Sequence, residues 1–345
     1  MPICTSCTHP TPYLYTVYES AYNLRLEQCA ECHAFADPYV EHDTLTLLLD
    51  LILLKRDVYR HLLFNRGRGA RKLRRSGPAS EAGVSPQRGP GSVEQVLARS
   101  PGMVDHPEAW EPARERARWY LIARLGTALV ILDAFIRWTH LSTCSRVGAP
   151  QGDISEWNTE AMAGFARIHV GCFVETVTFH VGIIIASYVV LQFLDRIRLP
   201  KPSTTNALQV SGIRKEFRYS HIPLTLLYSS LTKLFLLFLL AIWRPAPVEH
   251  GSPSEPTDSW MGQALSLLDE DRLDRGWIVR NVLGGMSAGF GLRVVLDCHP
   301  LLTTSVILVG WAVKTLVAGM ISQWVGIGFN AYETAGEMWL AYSIP

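Results

Sequence analysis

The chain has 345 residues, a formal net charge of +1, and 48% hydrophobic against 18% charged residues. So even a charge balance excludes a protein that coats nucleic acid, and so apolar a composition is unusual for a soluble domain of this length. The apolar residues gather into long blocks after Trp119, which predicts an α-helical polytopic membrane domain behind a small polar head.

The head begins with two thiol knuckles, Cys4-x-x-Cys7 and Cys29-x-x-Cys32, separated by 21 residues. Two residues between paired cysteines let a tight turn aim both sulfurs at one point, and two such turns supply the four thiolates of a structural Zn²⁺. Residues 1–35 are therefore expected to form a zinc-ribbon-like unit. Its ion, with four sulfurs and no open position, holds a fold and does no Lewis-acid chemistry. Two disulfides, or one redox Cys-x-x-Cys, are the alternatives. Disulfides need an oxidising compartment, whereas no apolar signal stretch precedes Cys4, and neither motif opens a helix after a strand as a thioredoxin-like site would. His9 and His33 lie close enough in sequence to be rival ligands or hydrogen-bond partners of the ligands.

Leu45 to Leu54 is apolar but only about ten residues long, too short to cross a bilayer, and Lys55-Arg56-Asp57 ends it. An amphipathic helix over 44–64 would turn Leu45, Leu48, Leu49, Ile52 and Leu53 either into the core of the head or onto the cytosolic leaflet as an interfacial helix; a re-entrant hairpin is the third arrangement. Residues 67–117 read as a flexible linker. Arg66, Arg68, Arg71, Lys72, Arg74 and Arg75 cluster at its start, and the Gly-, Pro- and Ser-rich stretch that follows has too few large apolar side chains to offset its ordering entropy. Such a basic cluster would be drawn to anionic lipid.

The membrane domain, 118–345, has spans predicted at about 119–138, 168–194, 222–243 and 301–325. Tryptophans stand at both ends of the first. Residues 278–296 are ambiguous: Arg280 and Arg293 shorten the apolar stretch, while Gly285-x-x-x-Gly289 and Ser287-x-x-x-Gly291 suit close helix packing. Lysine and arginine crowd the linker and the 195–221 loop and are few in 244–277, so the head and the 195–221 loop are expected in the cytosol, where thiols stay reduced. Within the spans, Asp133, Glu175, His180, Lys233 and Lys314 are the polar candidates, since ionisable groups at membrane depth are costly and face a protein interior or cavity unless they snorkel.

Several runs in the head resemble a known family. They are Tyr15-Thr16-Val17-Tyr18, Asn23-Leu24-Arg25-Leu26 leading into Cys29, Ala36-Asp37-Pro38-Tyr39-Val40-Glu41, Asp50-Leu51-Ile52-Leu53-Leu54-Lys55 and Tyr59-Arg60-His61-Leu62-Leu63-Phe64-Asn65. In this order they resemble the Arv homology domain, here residues 1–66, which heads a eukaryotic family of endoplasmic-reticulum membrane proteins. The resemblance implies sterol homeostasis through uptake, trafficking and distribution between membranes, with linked roles in sphingolipid metabolism and glycosylphosphatidylinositol anchor synthesis. It also implies residence in the endoplasmic reticulum and the Golgi. The partners implied are sterols, sphingolipids, glycosylphosphatidylinositol intermediates and other membrane proteins of lipid synthesis.

Three functional readings follow. The first is a non-enzymatic lipid-homeostasis factor with no catalytic residue, because no Gly-x-Ser-x-Gly, His-Glu-x-x-His or phosphate-loop motif appears. The second is a membrane-anchored zinc-ribbon adaptor. Nucleic acid is not its expected partner, since residues 10–28 carry four tyrosines but only Arg25 as a cation. The third, a polytopic lipid transferase, requires Glu175, His180 and Lys233 to converge on one cavity.

Overall fold

A computed structural model of the chain describes residues 1–18, 23–72, 107–144, 159–198, 211–242 and 278–326. The head opens with a three-stranded sheet. Strand β1 (Tyr15–Val17) pairs antiparallel with β2 (Leu24–Leu26), Tyr15 opposite Leu26 and Val17 opposite Leu24, as their aromatic and branched side chains favour. Strand β3 (Ala70–Lys72) adds to β1 in parallel. Gly69, with φ +74°, makes this pairing possible: its carbonyl accepts from the amides of Leu14 and Tyr15, and a Cβ there would sit 2.6 Å from Leu14 Cγ.

Asp37 caps a short 3-10 turn (Pro38–Val40), and Asp43 caps α1 (Thr44–Ile52) by accepting from the Thr46 amide. The single helix expected over 44–64 is broken. Leu54 turns into the left-handed region at φ +57°, α2 follows at Arg56–Arg60, and His61–Asn65 forms a wider π turn. Lys55 closes the break by pairing with Asp50 at 2.7 Å.

The linker expected over 67–117 is also shorter at both ends. Its start belongs to β3, and α3 (Pro107–Cys144) begins well before Trp119, extended by a polar stretch in which Glu115 pairs with Arg118 one turn on. Residues 73–106, with Arg74 and Arg75, lie outside the described residues. The basic cluster is partly engaged: Arg68 pairs with Glu216 at 2.7 Å and Arg71 stands over the Tyr13 ring.

The remaining elements are α4 (Thr159–Arg198), α5 (Gly212–Glu216), α6 (His221–Ile242), a π turn at Val279–Leu283 running into α7 (Gly284–Leu296), and α8 (Pro300–Gly326). Among the described residues, four helical stretches are long and apolar enough to cross a membrane: Pro112–Thr139, Ala161–Arg196, His221–Leu240 and Pro300–Ser322. Half of the α6 window is buried, against 11% for α3, so α6 is the central post. Along α4, Val170, Phe173, Val177, Val181, Ile185 and Val189 are all exposed, a stripe at helical spacing that suits lipid contact.

The ambiguous segment 278–296 is helical and returns toward the head. Val294 and Val295 at its end share a core with Tyr59, Phe64, Leu224 and Tyr228, whereas the far end of the bundle is closed by Val130, Ala134, Ile168, Cys172 and Val325. A left-handed Asp297 then reverses the chain into α8, which runs away from the head. Close packing at the expected small residues follows. A Cβ on Gly285 would lie 2.3 Å from the Trp311 ring, and one on Gly291 2.7 Å from Thr225.

Candidate functional site

Both knuckles are built alike. In the first, the Cys4 amide donates to the His9 carbonyl and the Thr8 amide returns to the Cys4 carbonyl; in the second, Cys29, Ala34 and His33 repeat the pattern. Thr8 and His33, each following the second cysteine, take left-handed φ of 66° and 58°. The turns bring the Sγ atoms of Cys4, Cys7, Cys29 and Cys32 within 4.8 Å of one another, with 3.7 Å between Cys4 and Cys32 and 3.5 Å between Cys7 and Cys29. Four thiolates around a tetrahedral ion at about 2.3 Å stand roughly 3.8 Å apart, so the donor set fits a metal ion. Separations this long exclude disulfide bonds among the four, and all are free thiols. Burial pushes the Cys4 thiol up to about 12 and raises Cys7. Cys29 feels the same burial but is lowered on balance by the amides of Cys32 and Glu31. Neither His9 nor His33 belongs to the sulfur cluster.

A second network ties this centre to the helices behind it. The Asp37 carboxylate, fully buried, accepts from the Tyr39 amide, from His61 Nδ1 at 2.7 Å and from Asn65 Nδ2 at 2.8 Å. Asn65 in turn accepts from the Ile3 amide and donates to the Ile3 carbonyl, next to Cys4. Arg60 donates to the carbonyls of Thr5 and Ser6 inside the first knuckle. The signature residues of the 36–65 runs therefore clamp the first cysteine knuckle onto α2 and the π turn after it.

The head is docked on the bundle, not tethered to it. Gly212 abuts the first knuckle so closely that a Cβ would stand 2.3 Å from the Thr8 carbonyl oxygen, and Glu216 pairs with the N-terminal ammonium as well as with Arg68. Helix α1 lies along α6: Leu51 enters the shared core, and Thr232 donates to the Ile52 carbonyl at 3.1 Å. Thr232 is eleven residues into α6, roughly 16 Å along its axis. The outer face of α1 is open. Leu45, Leu48, Leu49 and Leu53 are exposed, Ile52 is half-buried, and Asp50 points inward to Lys55 and to the Tyr39 hydroxyl.

The five polar residues singled out in the spans converge. Asp133, Glu175, His180, Lys233 and Lys314 all line one cavity of about 150 Å³ inside the bundle, together with Arg137, Arg280 and Asn281. Arg137 sits between the carboxylates, 3.0 Å from Asp133 and 3.0 Å from Glu175. Sequence reasoning missed Arg137 because, beside Trp138, it reads as the polar end of a span. Its position one helical turn after Asp133 was the signal. His180 Nδ1 lies 2.7 Å from the Thr176 carbonyl, which can only accept, so Nδ1 carries the proton and Nε2 faces the cavity without a partner.

A cysteine-cluster head fused to a bundle of apolar helices defines a multi-pass membrane protein with a candidate metal centre. The Arv1-like family matches residues 3–251, and the chain belongs to that family. Over 63 residues it is 48% identical to Protein arv1 of Schizosaccharomyces pombe, covering 18% of this chain and 24% of that one. It is 46% identical over 63 residues to Protein ARV1 of Saccharomyces cerevisiae (18% and 19%), and 47% identical over 66 residues to the Protein arv1 homolog of Dictyostelium discoideum (19% and 27%). The matched segment thus spans about a quarter or less of these curated relatives. No solved structure matches the chain.

Proposed function

We propose that this protein is a non-enzymatic mediator of sterol homeostasis in the endoplasmic-reticulum membrane, extending to the Golgi, that assists sterol uptake and distribution between membranes. Sphingolipid metabolism and glycosylphosphatidylinositol anchor synthesis are linked to it through the lipids it handles. The head faces the cytosol and its four thiolates hold one structural zinc, in keeping with the lysine and arginine distribution and with reduced thiols there. The observation that carries this reading is helix α1. Its inner face packs on α6 and its outer face offers Leu45, Leu48, Leu49 and Leu53 beside the lipid-facing spans, a surface suited to the acyl region and poorly suited to a soluble partner.

Reconstitution tests it. Full-length protein in donor liposomes should speed transfer of a labelled sterol to acceptor liposomes severalfold, and Leu48→Asp/Leu49→Asp should remove most of the gain while metal content stays at about one ion per chain. No acceleration by the folded, metal-loaded protein would sink the reading.

The convergence of Glu175, His180 and Lys233 favours a second reading, a lipid transferase. Against it, Arg137 holds Glu175, and the cavity hydroxyls of Ser229 and Ser230 donate to carbonyls of their own helix, so neither is paired with a base. Turnover of a labelled lipid donor that His180→Ala abolishes would reverse the preference.

A further inference from the structure

The cavity's charges do not balance. Asp133 and Glu175 are both engaged by Arg137, yet Lys233 and Lys314 also line it, so, with Arg280 set aside, three cations face two carboxylates among the described residues. Among the described residues neither lysine ammonium lies within ion-pairing distance of a carboxylate. Cations left so at membrane depth are costly unless an anion joins them. Asn281, only 7% exposed, adds a buried side-chain amide on the same wall whose Nδ2 has no hydrogen-bond partner. Local backbone supports the placement. The π turn at Val279–Leu283 brings the consecutive residues Arg280 and Asn281 both to the cavity, and such turns in helices are frequent at functional sites. Gly284 gives the Lys233 stem its path, since a Cβ there would come within 3.2 Å of Lys233 Cδ. Phe179, Leu226 and Trp311 supply apolar walls beside the charges.

The geometry points to an anion site for a phosphate group, held by Lys233, Lys314 and Arg280 with the Asn281 amide as a neutral donor, and carried into the bundle on a lipid. A phosphate supplies both the negative charge and several acceptor oxygens, and charge-assisted hydrogen bonds to it are the strong kind. A sterol hydroxyl supplies neither, so this site is separate from the sterol reading and does not rest on it.

Full-length protein in phosphatidylcholine nanodiscs, titrated with labelled dioleoyl phosphatidate, tests the site. Wild type should retain about one phosphatidate per chain against excess phosphatidylcholine. Lys233→Gln/Lys314→Gln should bind at least tenfold more weakly, with an unfolding temperature equal to or above wild type because repulsion is relieved. Asn281→Ala, which alters no charge, should weaken binding severalfold, and Arg124→Gln, an exposed cation on α3, should not. Displacement by millimolar inorganic phosphate would support the anion site and assign it to free phosphate; persistence of bound phosphatidate assigns it to the lipid. Binding unchanged in the double-lysine variant, equal retention of phosphatidylcholine, or displacement by cholesterol would each overturn the proposal. Loss of sterol transfer with phosphatidate binding intact would sink only the function proposed above.

Discussion

Asp37 in the head and Glu175 in the bundle are both almost wholly buried carboxylates, yet their surroundings differ in kind. Asp37 is closed off by the Tyr39 amide, His61 and Asn65, and the last two tie it to a segment more than twenty residues further along the head. Glu175 and Asp133 share Arg137, and beyond that triad the cavity holds lysines without an ion pair and an amide without a hydrogen-bond partner among the described residues. A satisfied network rigidifies a fold, whereas a buried polar cluster with unsatisfied members is costly to keep. The head is thus held by contacts between its own segments around a candidate metal centre, whereas the bundle interior keeps cationic side chains clustered around a cavity.

The strongest way to break this contrast is at the metal. Cys29→Ser in the full chain should lower bound metal from about one ion to none and remove on the order of 10 kcal/mol from the head. Residues 1–66 should then become sensitive to protease while the helices stay intact. A head that resists protease without metal would show that the Asp37 network suffices.

In the bundle the largest effect is expected from Arg137→Met, which leaves two buried carboxylates without their cation and should cost about 3–5 kcal/mol in thermal unfolding in detergent micelles. Adding Asp133→Asn and Glu175→Gln should recover much of that loss, because the stranded charges go with it. Failure to recover would mean that Arg137 acts through packing and not through charge.

A smaller effect sharpens the boundary between the two parts. Gly212→Ala puts a methyl group against the Thr8 carbonyl oxygen and should cost about 1–3 kcal/mol as the contact opens. Amide exchange should quicken in residues 1–11 and 211–216 and remain unchanged around Lys314. Unchanged exchange at both segments would mean that the head sits on the bundle less tightly than the contact implies.

Local features were legible in the sequence and non-local ones were not. The cysteine knuckles could be read because two intervening residues already dictate the turn, and the four long spans because apolar length is a property of a continuous segment. The shared cavity needed the register of five helices against one another, which no periodicity in a single span reveals. The polar candidates could be named, but not their convergence. Strand β3 was hidden for a different reason. Ala70-Arg71-Lys72 has no strand-like pattern, and only the glycines at 67 and 69, both with positive φ, hint at a turn before it. In α1 and at its C-cap, Leu45, Leu48, Leu49 and Leu53 are exposed while Asp50 and Leu51 are buried, a division between faces that a nearly continuous apolar run does not reveal.

The head's core is completed by residues far along the chain: Ile213, Leu224, Tyr228, Val294 and Val295 pack with Ile3, Tyr59 and Phe64. On the ribosome this imposes an order of events. Domains commonly fold as they emerge, but here the first seventy residues leave the exit tunnel with Tyr59 and Phe64 uncovered. They must stay so through synthesis of more than two hundred further residues, until α7 is inserted. Truncation after α6 would leave the nascent head without Val294 and Val295, its buried aromatics open to chaperones and degradation machinery.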